Sequence, residues 1–389
     1  TTPDFLFGNY TFSVIPLFIL MGALAERSGL STRLFQAASG LIGHRRGGLA
    51  MAVIGACTGF GAICGSSVAT AATFARAALP ELRRFGYDPG FATGTVAVGG
   101  TLGILIPPSV ILVVYAITTE QNIAKLFQAA LIPGLIAAFF YCIVIAIVVR
   151  VNPKAGPAYA PIGWPERLRA LLTIWPALLI AVVVVGGIYG GVFTPTEGAA
   201  VGSIAMLALG LFQRTLSWTE CKQAILQTAD TSAMIFAIIL GSEVFDAFLA
   251  LSQLPVKAAE FVTSMGFSPL GVVALLMLFY ILLGAVMDEL AMILLTLPVF
   301  FPIVSALDFG LPAEEAAIWF GILVLIVVGI GLTAPPIGLN VFVVSAIARN
   351  VPIASTYAGV LPFVAADIIR LSLVIFFPGL ALVLVRWLN

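Results

Sequence analysis

The sequence predicts an all-α integral membrane protein made of two inverted halves, each holding a re-entrant hairpin and a broken helix. Three observations predict it. Of 389 residues, 61% are apolar and 9% charged, whereas soluble domains run at about 45–50% and about 25%. The apolar runs have helix length, not the ~10-residue alternation of a membrane β-barrel. A series of short arm, paired half-length helices and a helix broken at two prolines occurs twice. The 18 Lys+Arg balance 18 Asp+Glu, which leaves no basic field for nucleic acid.

A spanning helix takes about 20 apolar residues. The first span falls at 8–27 and closes on Glu26-Arg27. Thr1-Thr2-Pro3-Asp4, with no initiator Met or signal peptide, reads as the start of a fragment of a longer chain. Residues 31–43 are amphipathic and read as an arm on the membrane surface. The stretch 48–62 is too short to span. It breaks over 61–67, a Gly/Ser tip, and a second leg follows at 67–82, closing on Glu81-Leu82-Arg83-Arg84. The next span, 89–117, breaks within 99–109, where Pro107-Pro108 removes two backbone donors. An arm at 122–132 and spans at 133–151, 167–190 and 195–213 complete the first part. Phe193-Thr194-Pro195-Thr196-Glu197 reads as a turn and helix start.

Then the pattern recurs. A helix at 217–252 leads to an arm at 254–265 and to legs at 268–286 and 289–306, flanking 284–289. A span at 312–349 breaks within 329–340. An arm with Ile353-Ala354 follows, and Pro362 opens the last span, as Ile123-Ala124 and Pro133 do earlier. The tips (Gly61, Gly284) and diprolines (Pro107, Pro335) are offset by 223 and 228 residues. Five crossings precede the second repeat. It therefore starts from the opposite face, an architecture of secondary transporters. The base of the first hairpin shares its side with thirteen Lys and Arg, against three on the other side, which places that side in the cytoplasm.

Irregular backbone at membrane depth survives only where protein buries it or water lines it. Two tips and two breaks give four such places. Their carbonyls suit a cation such as Na⁺, and half-helix N-termini suit a carboxylate. The first cation set is Gly61, Ser66, Gly103, Ile106 and Pro108. The second is Gly284, Asp288, Gly331, Ala334 and Ile337. Ser67, Thr70, Ser109 and Asn340 are the candidates for an organic acid. Packed, kinked helices are the plainer account of the breaks. Back-bonding to the helix is the plainer account of Thr70 and Thr73, and capping of a hairpin tip that of Glu289. Asp230, Glu243 and Asp246 lie on one helix. Asp367 and Arg370 are spaced as an intrahelical ion pair. Cys57, Cys64, Cys142 and Cys221 show no pairing pattern, and His44, the lone histidine, supplies no metal or relay site.

Several stretches resemble the large membrane subunit of tripartite ATP-independent periplasmic (TRAP) transporters. They are Gly48-Leu49-Ala50, residues 61–73, the 102–109 break, Phe193 to Glu197, Met287-Asp288 and Pro335-Pro336-Ile337-Gly338-Leu339-Asn340. The likeness covers essentially the whole chain. It implies an importer in the bacterial inner membrane that takes an organic acid, such as sialic acid or a dicarboxylate, from a periplasmic binding protein. It implies a small four-helix membrane subunit as partner, Na⁺ as coupling ion at two or more sites, and an elevator movement without ATP. On that pattern 1–47 is scaffold helix and arm, and 48–118 and 268–350 form the transport domain. Residues 119–267 are arms and scaffold helices, and 351–389 an arm and C-terminal helix. One Na⁺ lies at each tip and break, with substrate between. Two departures are Cys64, where the family often has Ser, and Ala334, where it often has Thr, with Thr333 one place earlier. A proton-coupled carrier and a channel are alternatives. A hydrolase lacks a base near Ser66.

Overall fold

The computed structural model describes residues 10–158, 163–264 and 266–388. The expected start of the first span at residues 8 and 9, and the reading of residues 1–4, lie outside them. The described residues form helices joined by turns, with no strand among them. Seven helices are long and apolar enough to cross a membrane, or eight with one bent pair.

A 3₁₀ turn, Tyr10–Ser13, runs into α1 (Val14–Arg27). The arm α2 (Leu30–Ile42) leads to hairpin legs α3 (Gly48–Cys64) and α4 (Ser67–Arg84). Then come α5 (Pro89–Leu105) and α6 (Val110–Thr118), bent 44° apart, and the long α7 (Ile123–Val151). Helices α8 (Trp164–Tyr189), α9 (Pro195–Phe212) and α10 (Trp218–Ser252) intervene. The series then repeats: arm α11 (Leu254–Ser264), legs α12 (Pro269–Gly284) and α13 (Glu289–Ser305), broken pair α14 (Ala313–Gly331) and α15 (Leu339–Ile347), and long α16 (Ile353–Phe376). A last helix, α17 (Gly379–Leu388), was not expected; Pro378 separates it from α16.

The arm and span expected on either side of Pro133 form one helix, and so do those around Pro362. A proline inside a helix removes one hydrogen bond without ending it when neighbours hold the chain. The Pro133 carbonyl itself accepts Arg370 Nη1 at 3.4 Å. Caps set the boundaries: Asn122 takes the amides of Ala124 and Lys125, and Thr194 with Glu197 forms a capping box.

The two broken helices sit at the centre. α14 is buried along nearly its whole length, as is α5. α5 packs on α3, α4 and α16, and α15 packs on α4 and α5, which joins the halves. α1, α9 and α10 pack together at one flank. Glycine permits the close approach here: a Cβ on Gly359 would meet the Gly90 carbonyl oxygen and one on Gly94 would lie 2.6 Å from the backbone of Gly359, so α5 and α16 touch backbone to backbone.

Candidate functional site

The first hairpin turns at Gly65 and Ser66. α3 continues through Gly61, which the sequence reading had placed at the tip, and ends at Cys64. Gly65 has φ +66°, and Ser66 is extended, its Oγ accepting the Ala69 amide at 3.4 Å as N-cap of α4. The Ser66 carbonyl takes Thr70 Oγ1 at 2.7 Å, so Thr70 bonds back into its own helix. Gly61 is a contact rather than a turn: a Cβ there would lie 2.7 Å from the Leu102 carbonyl oxygen. Sequence alone does not separate these two uses of glycine.

The first break faces that tip. Ile106 closes α5 through its amide to Leu102 O at 3.0 Å, and Ser109 N-caps α6. Gly103 lies inside α5, where a Cβ would meet Thr70 Oγ1 and, at 2.5 Å, the Ser66 carbonyl oxygen. The Pro108 carbonyl oxygen is 3.0 Å from where a Cβ on Gly65 would sit. Oxygens of tip and break thus gather around two glycines.

The second half repeats this. Asp288 N-caps α13, its Oδ1 accepting the amides of Leu290 at 3.0 Å and Ala291 at 3.4 Å, in the place Ser66 holds in the first half. A Cβ on Gly331 would lie 2.7 Å from Gly284 Cα. The Ala285 carbonyl accepts the Ile337 amide at 3.2 Å, and the Ile337 carbonyl accepts Tyr357 Oη at 2.5 Å. The Ala334 carbonyl oxygen faces Gly338, 2.8 Å from where its Cβ would be. The Thr333 hydroxyl bonds back to Ile330 O at 3.0 Å.

Asn340 crosses between the halves. Its Nδ2 donates to Ser67 Oγ at 2.7 Å and to Ala97 O at 3.1 Å, while its Oδ1 has no partner among the described residues. Ser67, Thr70, Ser109 and Asn340 are all fully buried. The structure therefore puts all four substrate candidates in contacts within the protein.

Beside them lies a cavity of about 450 Å³. Four half-helix N-termini reach it: α4 at Ser66 and Val68, α6 at Val110, α13 at Asp288 and Glu289, and α15 at Leu339. Glu26 and Gln227, on α1 and α10, close the other side, and no Lys, Arg or His is among its lining residues. Glu26 pairs with Arg76 of α4 at 2.9 Å and accepts Gln227 Nε2 at 3.3 Å. Sequence reading did not place Glu26 or Gln227 at the site, because only the folded chain brings α1 and α10 to the tips. A larger hollow of about 730 Å³ lies at the Asp308 turn, lined by the start of α14 at Ala313 and Glu314 and by neither hairpin tip nor either diproline break. Glu243 and Asp246 line another, of about 480 Å³, on the far flank, while Asp230 is exposed on α10.

Away from the cavity, Asp367 and Arg370 form the expected pair at 2.9 Å, fully buried. Tyr141 Oη donates to Asp367 at 2.7 Å, a partner the spacing did not reveal.

The family model described as "Tripartite ATP-independent periplasmic transporter, DctM component" matches residues 7–380. The C4-dicarboxylate TRAP transporter large permease protein DctM of Pseudomonas aeruginosa is 38% identical, over 98% of this chain and 87% of its own. The sialic acid TRAP transporter large permease protein SiaM of Vibrio cholerae is 32% identical, over 97% and 86%. Among solved structures, the Alcanivorax borkumensis YdaH transporter superposes with a TM-score of 0.65 at 16% identity, over 96% of this chain and 87% of that one, a likeness of fold.

Proposed function

This chain belongs to the DctM component family of tripartite ATP-independent periplasmic transporters, and from that premise we propose that it carries an organic acid in the cavity between its hairpin tips, coupled to Na⁺. It is a multi-pass inner-membrane transport component, not an enzyme. The observation that carries the proposal is the meeting of four half-helix N-termini on one cavity. Three of these ends, those of α4, α6 and α15, carry no acidic side chain, whereas α13 bears Asp288 and Glu289 at its own; each of the three presents roughly half a positive charge, so together they favour a carboxylate. The relatives named for C4-dicarboxylate and sialic acid agree with an acid as cargo.

Na⁺ is a hard cation that takes oxygen ligands, and the glycine cradles supply them. At the first tip these are the carbonyls of Ser66 and Pro108 beside Gly65 and Gly103. At the second they are the carbonyls of Gly284 and Ala334 beside Gly331 and Gly338. A backbone oxygen at Ala334 replaces the missing Thr hydroxyl. Side chains of Ser66 and Asp288 act as caps that hold the tips in register. Bound there, the ion offsets the carbonyl ends of α3 and α12.

In this reading the hairpins and the broken helices, residues 48–118 and 268–350, move together against the arms and the remaining spans. The small residue Gly22 of α1, whose Cβ would lie 2.7 Å from the Cys64 carbonyl, gives the tip a close path past the scaffold. Glu26 and its neighbour Arg27 lie at the arginine-rich end of α1. A periplasmic binding protein delivers the acid, and a small four-helix membrane subunit packs on the scaffold.

The test is the melting temperature of the purified full chain in NaCl against choline chloride at matched ionic strength. A ligand that binds only the folded state raises stability with its concentration. A saturable, Na⁺-specific rise supports the cation sites. A folded sample with no difference refutes Na⁺ coupling through these tips.

A further inference from the structure

The four N-termini around the cavity are not alike. α4 and α6 are capped by neutral Ser66 and Ser109, and α15 follows Gly338 with no side-chain cap. Their positive ends are left for an incoming anion. α13 instead carries Asp288 as cap and Glu289 in its first turn. Its positive end is already answered. Glu26, the third carboxylate on the wall, is held by Arg76 and Gln227.

Glu289 is the charge left over. It lines the cavity, and its Oε2 is shielded from solvent with no hydrogen-bond partner among the described residues. A carboxyl group shielded in this way ionises only at a cost unless a partner faces it, and a cation or strong donor opposite it supplies that partner. A dicarboxylate would present a second negative charge to it. Resting on the reading of the cavity as a carboxylate site, we propose that Glu289 selects substrates that carry a cationic or strong donor group opposite their carboxylate. The acid end meets α4, α6 and α15, and the amino or amidine end meets Glu289.

The experiment uses the full chain in nanodiscs with NaCl and reads the melting temperature across ligand concentration. The probes are 4-aminobutyrate, succinate of equal chain length, and butyrate. Wild type should respond to 4-aminobutyrate at about tenfold lower concentration than to succinate, the scale of one charge-assisted hydrogen bond. In Glu289→Gln that preference should fall to parity or reverse, and Glu289→Asp should keep its sign. Equal or better response of the wild type to succinate overturns the assignment even if the variants do not fold. So does a Glu289→Gln variant that keeps its preference but shifts its Na⁺ requirement, because the carboxylate then serves the cation. A chain that responds to none of the three acids refutes the carboxylate reading beneath it instead.

Discussion

Gly331→Ala is the sharpest probe of the contact between the second hairpin and the second break. The new Cβ would sit 2.7 Å from Gly284 C and Cα and 3.0 Å from its carbonyl oxygen. All three are backbone atoms, so no side chain can swing aside. Relief requires the end of α12 to retreat until the separation exceeds 3.0 Å, and ordinary contact begins at 3.4 Å. Overpacking of this kind costs about 1–3 kcal/mol. The gain from Ala over Gly in a helix, about 0.5–1 kcal/mol, is small here because Gly331 is the last residue of α14. The expected outcome is a lower melting temperature and, since Gly284 O moves, loss of the Na⁺-dependent rise. Gly241→Ala on α10 is the control: nothing lies within 4 Å of its Cβ, so propensity alone should hold or raise stability. A Gly331→Ala protein with wild-type melting temperature and wild-type Na⁺ response would refute the close approach as the basis of the site.

Asn340→Ala should destabilise by about 1–3 kcal/mol, because it leaves the buried Ser67 Oγ without its Asn340 donor and removes a bond to Ala97 O; chemical unfolding and uptake in proteoliposomes should fall together. Asp367→Asn leaves Arg370, 0% exposed, without its counter-ion. Breaking a buried pair from one side costs about 3–5 kcal/mol. The yield of monodisperse protein should drop, and Asp367→Asn with Arg370→Leu should recover part of it. Equal yields for the single and double variants would argue that the pair is not coupled.

How much of this was legible in the chain depends on distance along it. Local chemistry was readable: the diprolines, the Gly/Ser tip and the Thr194 capping box all act within a few residues, and the order of elements followed. Asp288 also announced itself locally, as an acidic residue just before an apolar run, the signature of an N-cap. The sequence reading also sets it in the second cation group, on the cost of a carboxylate at membrane depth. Gly61 was misplaced because a glycine permits either a turn or a close approach, and the deciding atom, Leu102 O, lies on another helix. Asn340 was noted as polar near a break, yet its partner Ser67 is 273 residues away. Pro133 and Pro362 looked like boundaries since proline lacks an amide. Only the packed structure reveals that the helices continue through them.

The repeat explains why geometry and charge can be separated in this protein. Ser66 and Asp288 cap equivalent helices, and Gly103 and Gly331 press equivalent breaks against Ser66 and Gly284. These backbone approaches leave no room for a Cβ, so both halves must keep them for the tips to stay closed against the breaks. The side chain after each cap is under no such demand. In the first half it is Ser67, turned away to bond Asn340; in the second it is Glu289, turned toward the cavity. One position thus binds the two halves together and its counterpart lines the cavity. A change at Glu289 should then alter what is carried while leaving the cation response intact, whereas a change at Ser67 or Asn340 should loosen both. Uptake measured against Na⁺ concentration at fixed substrate, and against substrate at fixed Na⁺, separates these outcomes, because only the second curve should move for Glu289→Gln.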